Sequence, residues 1–285
     1  MVRPKRAKPK PKLKPKLKIK PKPKPKSKPK PKVKPTAKRN LKPSKAKAKA
    51  KAKPLTIITR PPRNGKLAIQ FTSTECIRPK LNIASFKTFH ENLLDVDWGK
   101  STIFLNIDPL PVGRDPMSIV KVAKQFFGRV EYNISKKPNA TAALQWCWRQ
   151  PTEPYFFHLQ ADWSLNKPVS IRHMITLLIK HNLIGVNLRA YVKKKRELCL
   201  SPSLVRSDEA KRIANALRLD WNAERQLRPP KKGISYVNGR RLQGKLHAMH
   251  IPEKGKMISD IGRGWLGEHG YKRNAGVNFT TWKKK

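Results

Sequence analysis

The sequence predicts an α/β protein with a mixed, mainly parallel sheet flanked by helices, preceded by a disordered Lys/Pro-rich tail. Short apolar runs with strand character alternate with amphipathic helical stretches between residues 66 and 159, and this alternation is typical of a parallel sheet covered by helices. The first 54 residues instead contain 25 Lys or Arg and no Asp or Glu. A segment with so much like charge and so few apolar side chains cannot form a packed core.

The tail, residues 1–54, alternates Lys with Pro and, towards its end, with Ala. Proline fixes φ and removes a backbone donor, and neighbouring ammonium groups repel one another, so we expect an extended chain. DNA is the favoured partner, since nothing in the tail resembles an amphipathic membrane anchor. The composition, and only the composition, is similar to that of histone H1 tails. The alternative is a solvated tail that binds any polyanion.

The rest of the chain, residues 55–285, is predicted to form one basic domain. Its 231 residues hold 41 of the 66 basic side chains and all 17 acidic ones, a formal charge of +24. This length is sufficient for a single hydrophobic core. Self-repulsion of so cationic a chain favours a monomer.

The three cysteines, Cys76, Cys147 and Cys199, are far apart and no CxxC pair occurs. Their odd number and spacing favour neither a disulfide framework nor a zinc knuckle. No signal peptide precedes the tail, and no apolar run is long enough to span a membrane. We therefore expect a cytoplasmic protein, in the host cytoplasm if a bacteriophage encodes it.

Four strands are predicted at residues 66–73, 101–108, 130–134 and 155–159. The first, second and fourth are short apolar runs, and the third alternates Val130, Tyr132 and Ile134 with polar residues. Helices are predicted between the strands, at residues 81–94, 117–127 and 139–148, from apolar side chains at helical spacing. The resulting order βαβαβαβ predicts a ligand site beyond the carboxyl ends of the strands.

Polar residues stand where this rule places chemistry. Thr72, Ser73 and Thr74 end the first predicted strand, Asp108 ends the second, and Asp162 follows the fourth. The chain contains neither GxGxxG nor GxxxxGK[ST], so neither a dinucleotide-binding fold nor a P-loop is supported.

Seven segments carry a resemblance to a known family. They are FTSTECIRP (71–79), LNIDPLP (105–111), NATAALQW (139–146), YFFHLQADW (155–163), LSPSLVR (200–206), NAERQLRP (222–229) and SDIGRGWLGEHGYKR (259–273). In their order and spacing, the chain resembles GT-A fold (Rossmann-like) glycosyltransferases of the family-2 type over most of residues 66–282. It is most similar to glycosyltransferase-like proteins of bacteriophages, a group that includes enzymes that put sugars on modified DNA bases.

The resemblance implies a nucleotide-sugar donor and a divalent metal, Mn²⁺ or Mg²⁺, held by a DxD-like element at the end of the fourth strand. Here that element is Gln160-Ala161-Asp162, which keeps only its last acid. Asp162 would be the metal ligand, and Gln160 would bond the ribose or sugar. A late histidine often completes the site, so His250 and His247 are further candidates. The alternative for Asp162 is a cap of the following turn.

The resemblance also implies donor-binding positions. Asp108 would contact the nucleotide base, with Thr72, Ser73 and Arg78 around the same pocket mouth. The segment containing Asn139 and Ala142 would lie beneath the sugar nucleotide. Two plainer explanations stay open, because an Asp before Pro is an ordinary turn residue. An Asn at position 139 could simply begin a helix.

Transfer requires a group that takes the proton of the acceptor hydroxyl. Glu224 matches the family's acidic element and is the first candidate base, and Asp260 is the second. Arg263 could receive the negative charge of the diphosphate. The alternative for Glu224 is a first-turn acid that complements the helix dipole. We expect His158 to be a core histidine. Trp265 and Trp282 lie near basic residues in the sequence and could stack on a base.

Three functions remain open from the sequence. The first is transfer of a sugar from a nucleotide donor onto DNA, on a hydroxymethylated pyrimidine that is flipped out of the stack. The second is a DNA-binding or DNA-compacting protein on an inactive glycosyltransferase scaffold. The third is a glycosyltransferase that acts on a polysaccharide or a protein.

Overall fold

The computed structural model describes residues 64–110, 113–160, 162–188, 200–227, 248–250, 257–268, 270–275 and 280–284. The predictions for the tail, for Cys199 and for His247 lie outside these residues. None of the described helices is long and apolar enough to cross a membrane.

The strands are β1 (Gln70–Cys76), β2 (Leu93–Leu94), β3 (Thr102–Asp108), β4 (Arg129–Ile134), β5 (Tyr155–Gln160), β6 (Trp163–Leu165), β7 (Val169–Ser170), β8 (Gly185–Asn187), β9 (Ser203–Arg206), β10 (Ala248–His250), β11 (Ile258–Asp260), β12 (Tyr271–Ala275) and β13 (Thr280–Lys284). The helices are α1 (Pro79–Asn92), α2 (Met117–Ala123), α3 (Ala140–Arg149), α4 (Ile171–Lys180), α5 (Ser207–Ala216), α6 (Ala223–Leu227) and α7 (Gly262–Glu268), with a 3₁₀ turn at Trp98–Lys100.

The four predicted strands are confirmed as β1, β3, β4 and β5, and the three predicted helices as α1, α2 and α3. The main sheet has the order β10-β8-β9-β5-β1-β3-β4. The strands β5, β1, β3 and β4 run parallel, whereas β9 runs antiparallel to both of its neighbours. The sheet is therefore mixed and mainly parallel, as the sequence predicts.

Helices cover both faces of the sheet, and each face has its own core. On one face, α1, α2 and α4 pack over a cluster that contains Phe71, Phe86 and Phe127. On the other face, α3, α5 and α6 enclose a smaller cluster around Trp148 and Phe156. Because both faces are covered, the central strands β1, β3 and β5 are buried over most of their length.

The direction of chain crossing reverses at β1. From β1 the chain passes through α1 to β3 and then to β4 on one side, and α3 returns it to β5 on the other side of β1. In open α/β sheets, such a reversal leaves a crevice beyond the carboxyl ends of the two strands, and ligands bind there. The fold thus directs attention to the residues that follow β1 and β5.

His158 is a core histidine, which confirms the expectation from the sequence. It is buried in β5, where its Nδ1 lies 3.3 Å from the indole nitrogen of Trp148 and 2.9 Å from the hydroxyl of Thr72. Since an indole N–H can only donate, Nδ1 is an acceptor and the ring proton is on Nε2. Burial lowers the pKa of His158 to about 3.

Candidate functional site

The carboxyl end of β1 holds a buried acid that the sequence reasoning did not identify. The Ser73 hydroxyl and the Asn82 amide each donate a hydrogen bond to one carboxylate oxygen of Glu75. Burial raises the pKa of Glu75 to about 8; Asp162 acts in the same direction, and Arg78 acts against it. The sequence offered one signal for this residue: Glu75 is a single acid within a strand, three residues before an arginine.

Asp162 lies against the turn that begins α7. Its backbone carbonyl accepts hydrogen bonds from the N–H groups of Ile261 and Gly262, at 2.7 and 3.2 Å. The strand that follows Asp162 is also joined to the strand that precedes α7, because Trp163 of β6 pairs with Asp260 of β11. The structure therefore brings together two segments that are almost 100 residues apart in the sequence, one with Asp162 and one with Asp260.

Arg78 follows β1, at the beginning of α1, and contacts α7. Its guanidinium carbon is 5.7 Å from the ring centre of Trp265 in α7, in a cation–π arrangement. It also interacts with Glu75 and with the thiol of Cys76, whose pKa burial raises. Among the described residues, Nη1 of Arg78 is a buried donor without a hydrogen-bond partner. A buried charged donor without an acceptor is costly, so an anionic ligand that accepts from Nη1 would bind favourably here.

Asp108 is held at the carboxyl end of β3, next to β1. Its carboxylate accepts a hydrogen bond from the Asn106 amide at 3.3 Å, and also interacts with the Ser135 hydroxyl and the backbone of Asn139. Burial raises the pKa of Asp108, and these hydrogen bonds act against the rise. Asp108 faces Cys76 in the strand register. It is therefore a fixed, partly buried acceptor on the same edge of the sheet as Arg78.

Asn139 is the N-cap of α3. Its side-chain oxygen accepts hydrogen bonds from the N–H groups of Thr141 and Ala142, both at 3.0 Å. Its amide nitrogen donates to the carbonyl of Leu219 at 3.2 Å, and the Thr141 hydroxyl donates to the carbonyl of Trp221 at 2.6 Å. The plainer explanation for Asn139, a helix start, is thus seen in the geometry. Whether the residue also lies beneath a donor stays a prediction.

The same contacts position Glu224. The segment that packs on the N-terminus of α3 continues directly into α6, where Glu224 is in the first turn. Glu224 is partly exposed. Asp108 interacts with the backbone of Asn139, and the Asn139 amide bonds Leu219 in the segment that leads to Glu224.

The remaining predicted donor contacts differ in their accessibility. Thr72 is fully buried beside His158, and Ser73 is fully buried against Glu75, so both hydroxyls point into the protein interior. Gln160 and Ala142 are partly exposed. The carbonyl of Gln160 is within 3.4 Å of the Ser85 hydroxyl, which ties the end of β5 to α1. Of these four residues, Gln160 and Ala142 are the ones a ligand could reach.

His250 lies far from Asp162 in the sheet. It pairs with Asn187, which pairs with Ser203, which pairs with His158 of β5. Three strand spacings separate His250 from β5, about 14 Å. The prediction that His250 shares a metal site with Asp162 is untested. This strand register does not favour it. For Arg263 the structure gives the position alone, one residue after Gly262 in α7.

The residues present fit a metal ion that binds together with the diphosphate of a ligand. Within the described ranges, no three His, Cys, Asp or Glu side chains are placed to hold a metal ion together. Asp162 supplies one carboxyl group, and Asp260 pairs through the backbone with the next residue, Trp163. Magnesium-like ions are commonly bound by one or two carboxylates, with substrate phosphates and water completing the shell. This donor set therefore suits a divalent ion bound together with a diphosphate.

No protein family and no curated protein matches this sequence. Among solved structures, the chain is similar to the mannosyltransferase PcManGT from Pyrobaculum calidifontis in complex with GDP-Man and Mn²⁺, with a TM-score of 0.45 and 10% identity over 56% of this chain and 50% of that one. It is also similar to S. aureus TarS 1-349, with a TM-score of 0.43 and 7% identity over 56% and 54% of the two chains. The complex of TarS 1-349 with UDP gives a TM-score of 0.38 at 10% identity, over 51% of this chain and 48% of that one. The chain thus spans about half the length of these structures, and scores at this level assign no family.

Proposed function

We propose that this protein is a nucleotide-sugar-dependent glycosyltransferase that uses DNA as its acceptor. The observation that carries the proposal is the unpartnered, buried Nη1 of Arg78 at the point where the sheet reverses its direction of crossing. A diphosphate oxygen is an acceptor of the required charge, and guanidinium groups recognise phosphate well. The sequence resemblance to family-2 GT-A glycosyltransferases points to the same class of ligand.

The donor would lie along the edge formed by β3, β1 and β5. Asp108 would accept hydrogen bonds from the nucleoside at the β3 side, and Arg78 would bind the diphosphate in the middle. Two strand spacings separate β3 from β5, about 10 Å, which leaves room for a nucleoside and its phosphates between Asp108 and Asp162. Gln160, partly exposed at the end of β5, would bond the ribose or the sugar.

A divalent ion, Mn²⁺ or Mg²⁺, would be held by Asp162 with Asp260 beside it. When bound, such an ion neutralises the charge that develops on the diphosphate leaving group. Arg78 would contribute positive charge to the same group from the protein. The turn at Ile261 and Gly262 fixes the backbone of Asp162, so the position of this residue is set before the donor binds.

The transfer step forms a bond between the acceptor oxygen and the anomeric carbon and breaks the bond from that carbon to the diphosphate oxygen. A carboxylate must take the proton of the acceptor hydroxyl. Glu224 is the first candidate because its segment packs at the beginning of α3, beside Asn139 and Asp108. Asp260 is the second candidate.

The acceptor is proposed from charge. The chain has a formal charge of +49, and a protein of this kind binds DNA through phosphate contacts that release counterions. The resemblance to bacteriophage proteins suggests a hydroxymethylated pyrimidine base, whose hydroxyl becomes reachable once the base is flipped from the stack.

The decisive experiment measures sugar on DNA. The full-length protein is incubated with Mn²⁺, a panel of nucleotide sugars and duplexes that contain cytosine or 5-hydroxymethylcytosine, and the digested nucleosides are analysed by mass spectrometry. A glycosylated nucleoside is expected with one donor, and Asp162→Asn should abolish it. Glu91→Gln is the matched control, since this exposed acid ends α1 at the opposite edge of the sheet and should leave transfer unchanged.

Two outcomes contradict the proposal. If calorimetry detects no binding of any nucleotide sugar while DNA still binds, the protein is a DNA-binding or compacting protein. If sugar is transferred to polysaccharide or protein but never to nucleosides, the enzyme class holds and the DNA acceptor is wrong.

A further inference from the structure

The strands β12 and β13 form a two-stranded antiparallel ribbon that is separate from the main sheet. In the register, Tyr271 pairs with Lys284, Lys272 with Lys283, and Arg273 with Trp282. Residues 271–285 contain five Lys or Arg and no Asp or Glu. Four of the ten paired residues are Lys or Arg and none is acidic, and all four lie in the three pairs nearest α7.

The register sorts these residues onto two faces. In a strand, alternate positions fall on opposite faces. By the register, positions 271, 273, 282 and 284 therefore fall on one face of the ribbon, and positions 272, 274, 281 and 283 fall on the other. Two of the three cross-strand pairs on the first face, Tyr271–Lys284 and Arg273–Trp282, thus join a cationic residue with an aromatic one, a combination suited to phosphates and nucleobases. The third pair is Ala275–Thr280.

The ribbon follows directly after the candidate site. The helix α7 begins at Gly262, against Asp162, and ends at Glu268, two residues before β12. A helix of this length is about 10 Å long. One short helix therefore connects the candidate site to the ribbon, and α7 also contacts β12.

We propose that the ribbon β12–β13 binds duplex DNA and delivers it to the candidate site. The major groove of B-DNA is about 12 Å wide and admits a two-stranded β-ribbon, while lysines and arginines at its margins contact the phosphates. This inference rests on the proposed function for the reaction, because it names the element that holds the acceptor. The basic tail supplies affinity along any DNA, whereas the ribbon supplies position.

The first test compares two triple variants of the full-length protein. Lys272→Gln/Arg273→Gln/Lys283→Gln removes three charges from the ribbon. Lys121→Gln/Lys124→Gln/Lys180→Gln removes three from exposed positions in and after α2 and at the end of α4. Each lost phosphate contact flattens the slope of log K against log salt by about 0.9. The ribbon variant should flatten the slope by about 2 to 3 relative to wild type, and the control should leave it unchanged. Equal slopes for the two variants would overturn the proposal.

A second test separates DNA from polyanions in general. Trp282→Leu should weaken binding to duplex DNA several-fold without changing binding to heparin, and Trp282→Phe should restore most of the loss. Photo-cross-linking with duplexes that carry 4-thiothymidine should label peptides from residues 271–284. Equal losses for DNA and heparin, or no labelled ribbon peptide, would contradict the proposal.

A third measurement distinguishes this inference from the proposed function. Both triple variants should bind nucleotide sugar as the wild type does, and only the ribbon variant should lose transfer to DNA. If wild type and ribbon variant transfer sugar to DNA equally well, the ribbon proposal is wrong and the proposed function stands. If the ribbon cross-links to DNA but no sugar is ever transferred, the ribbon proposal stands and the proposed function is wrong.

Discussion

Gly262 lies so close to Asp162 that a methyl group at position 262 would come within 2.4 Å of the Asp162 Cβ. The Gly262 N–H also donates to the Asp162 carbonyl at 3.2 Å. Real Cβ atoms do not approach one another so closely, so only glycine permits this turn to hold the acid. The relationship ties the beginning of α7 to the residue that follows β5.

Gly262→Ala should therefore displace Asp162. Overpacking of this kind costs about 1–3 kcal/mol, and the shifted carboxylate should weaken metal-dependent binding of the nucleotide sugar on the order of tenfold. Both are measured on one preparation, by urea unfolding and by calorimetry. Gly264→Ala is the matched control in the same helix, because a methyl group there meets nothing within 4 Å. If Gly264→Ala weakens donor binding as strongly, the contact with Asp162 is not the cause.

Glu75 predicts a dependence of stability on pH. Because burial raises the pKa of Glu75 from 4.5 to about 8, the folded state holds a proton that the unfolded state releases at lower pH. The resulting stabilisation is fully present below pH 4.5 and is lost as the pH rises through 8. Its upper limit is about 5 kcal/mol. Glu75→Gln should remove this slope, so its free energy of unfolding should improve relative to wild type between pH 5 and pH 9.

The measurement is urea unfolding at several pH values, with Glu91→Gln as the control for loss of an exposed carboxylate. A constant difference between wild type and Glu75→Gln across this range would show that Glu75 is ionised in the folded protein throughout.

The central fold could be predicted from the sequence because its strands and helices are local patterns. Residues 101–108 are an apolar run ended by Asp-Pro, and the structure has β3 in the same place. The contact of Asp162 with Gly262 could not be predicted, since it depends on how β6 pairs with β11. Glu75 was missed for a related reason. In its buried position Glu75 accepts hydrogen bonds from Asn82 of the next helix and from Ser73 on its own strand. The sequence pattern shows only an acid in a strand.

His158 predicts the opposite dependence on pH. Its pKa is lowered to about 3 by burial, from an ordinary value of 6.5. The stabilisation from holding this ring neutral is fully present above pH 6.5 and is lost as the pH falls through 3. His158→Asn keeps an acceptor for the Trp148 indole but does not titrate. The difference in free energy of unfolding between wild type and His158→Asn should therefore become smaller as the pH is lowered from 7 to 4.

Thermal or urea unfolding at pH 7, 5.5 and 4 measures this difference. His173→Asn, at an exposed position of α4, is the control. A difference that grows at low pH would mean that His158 is protonated in the folded protein.

Asn139 allows the N-cap and the contact to Leu219 to be separated. Asn139→Asp keeps a side-chain acceptor for the N–H groups of Thr141 and Ala142 but loses the donor to the Leu219 carbonyl. Asn139→Ala loses both. Removal of an N-cap costs about 1 kcal/mol, so unfolding should show a larger loss of stability for Asn139→Ala than for Asn139→Asp.

Transfer activity should respond differently, because the segment that carries Glu224 is held by the donor that both variants lack. If kcat falls equally in the two variants while their stabilities differ, activity depends on this segment. If Asn139→Asp is fully active, the hydrogen bond to Leu219 does not position Glu224.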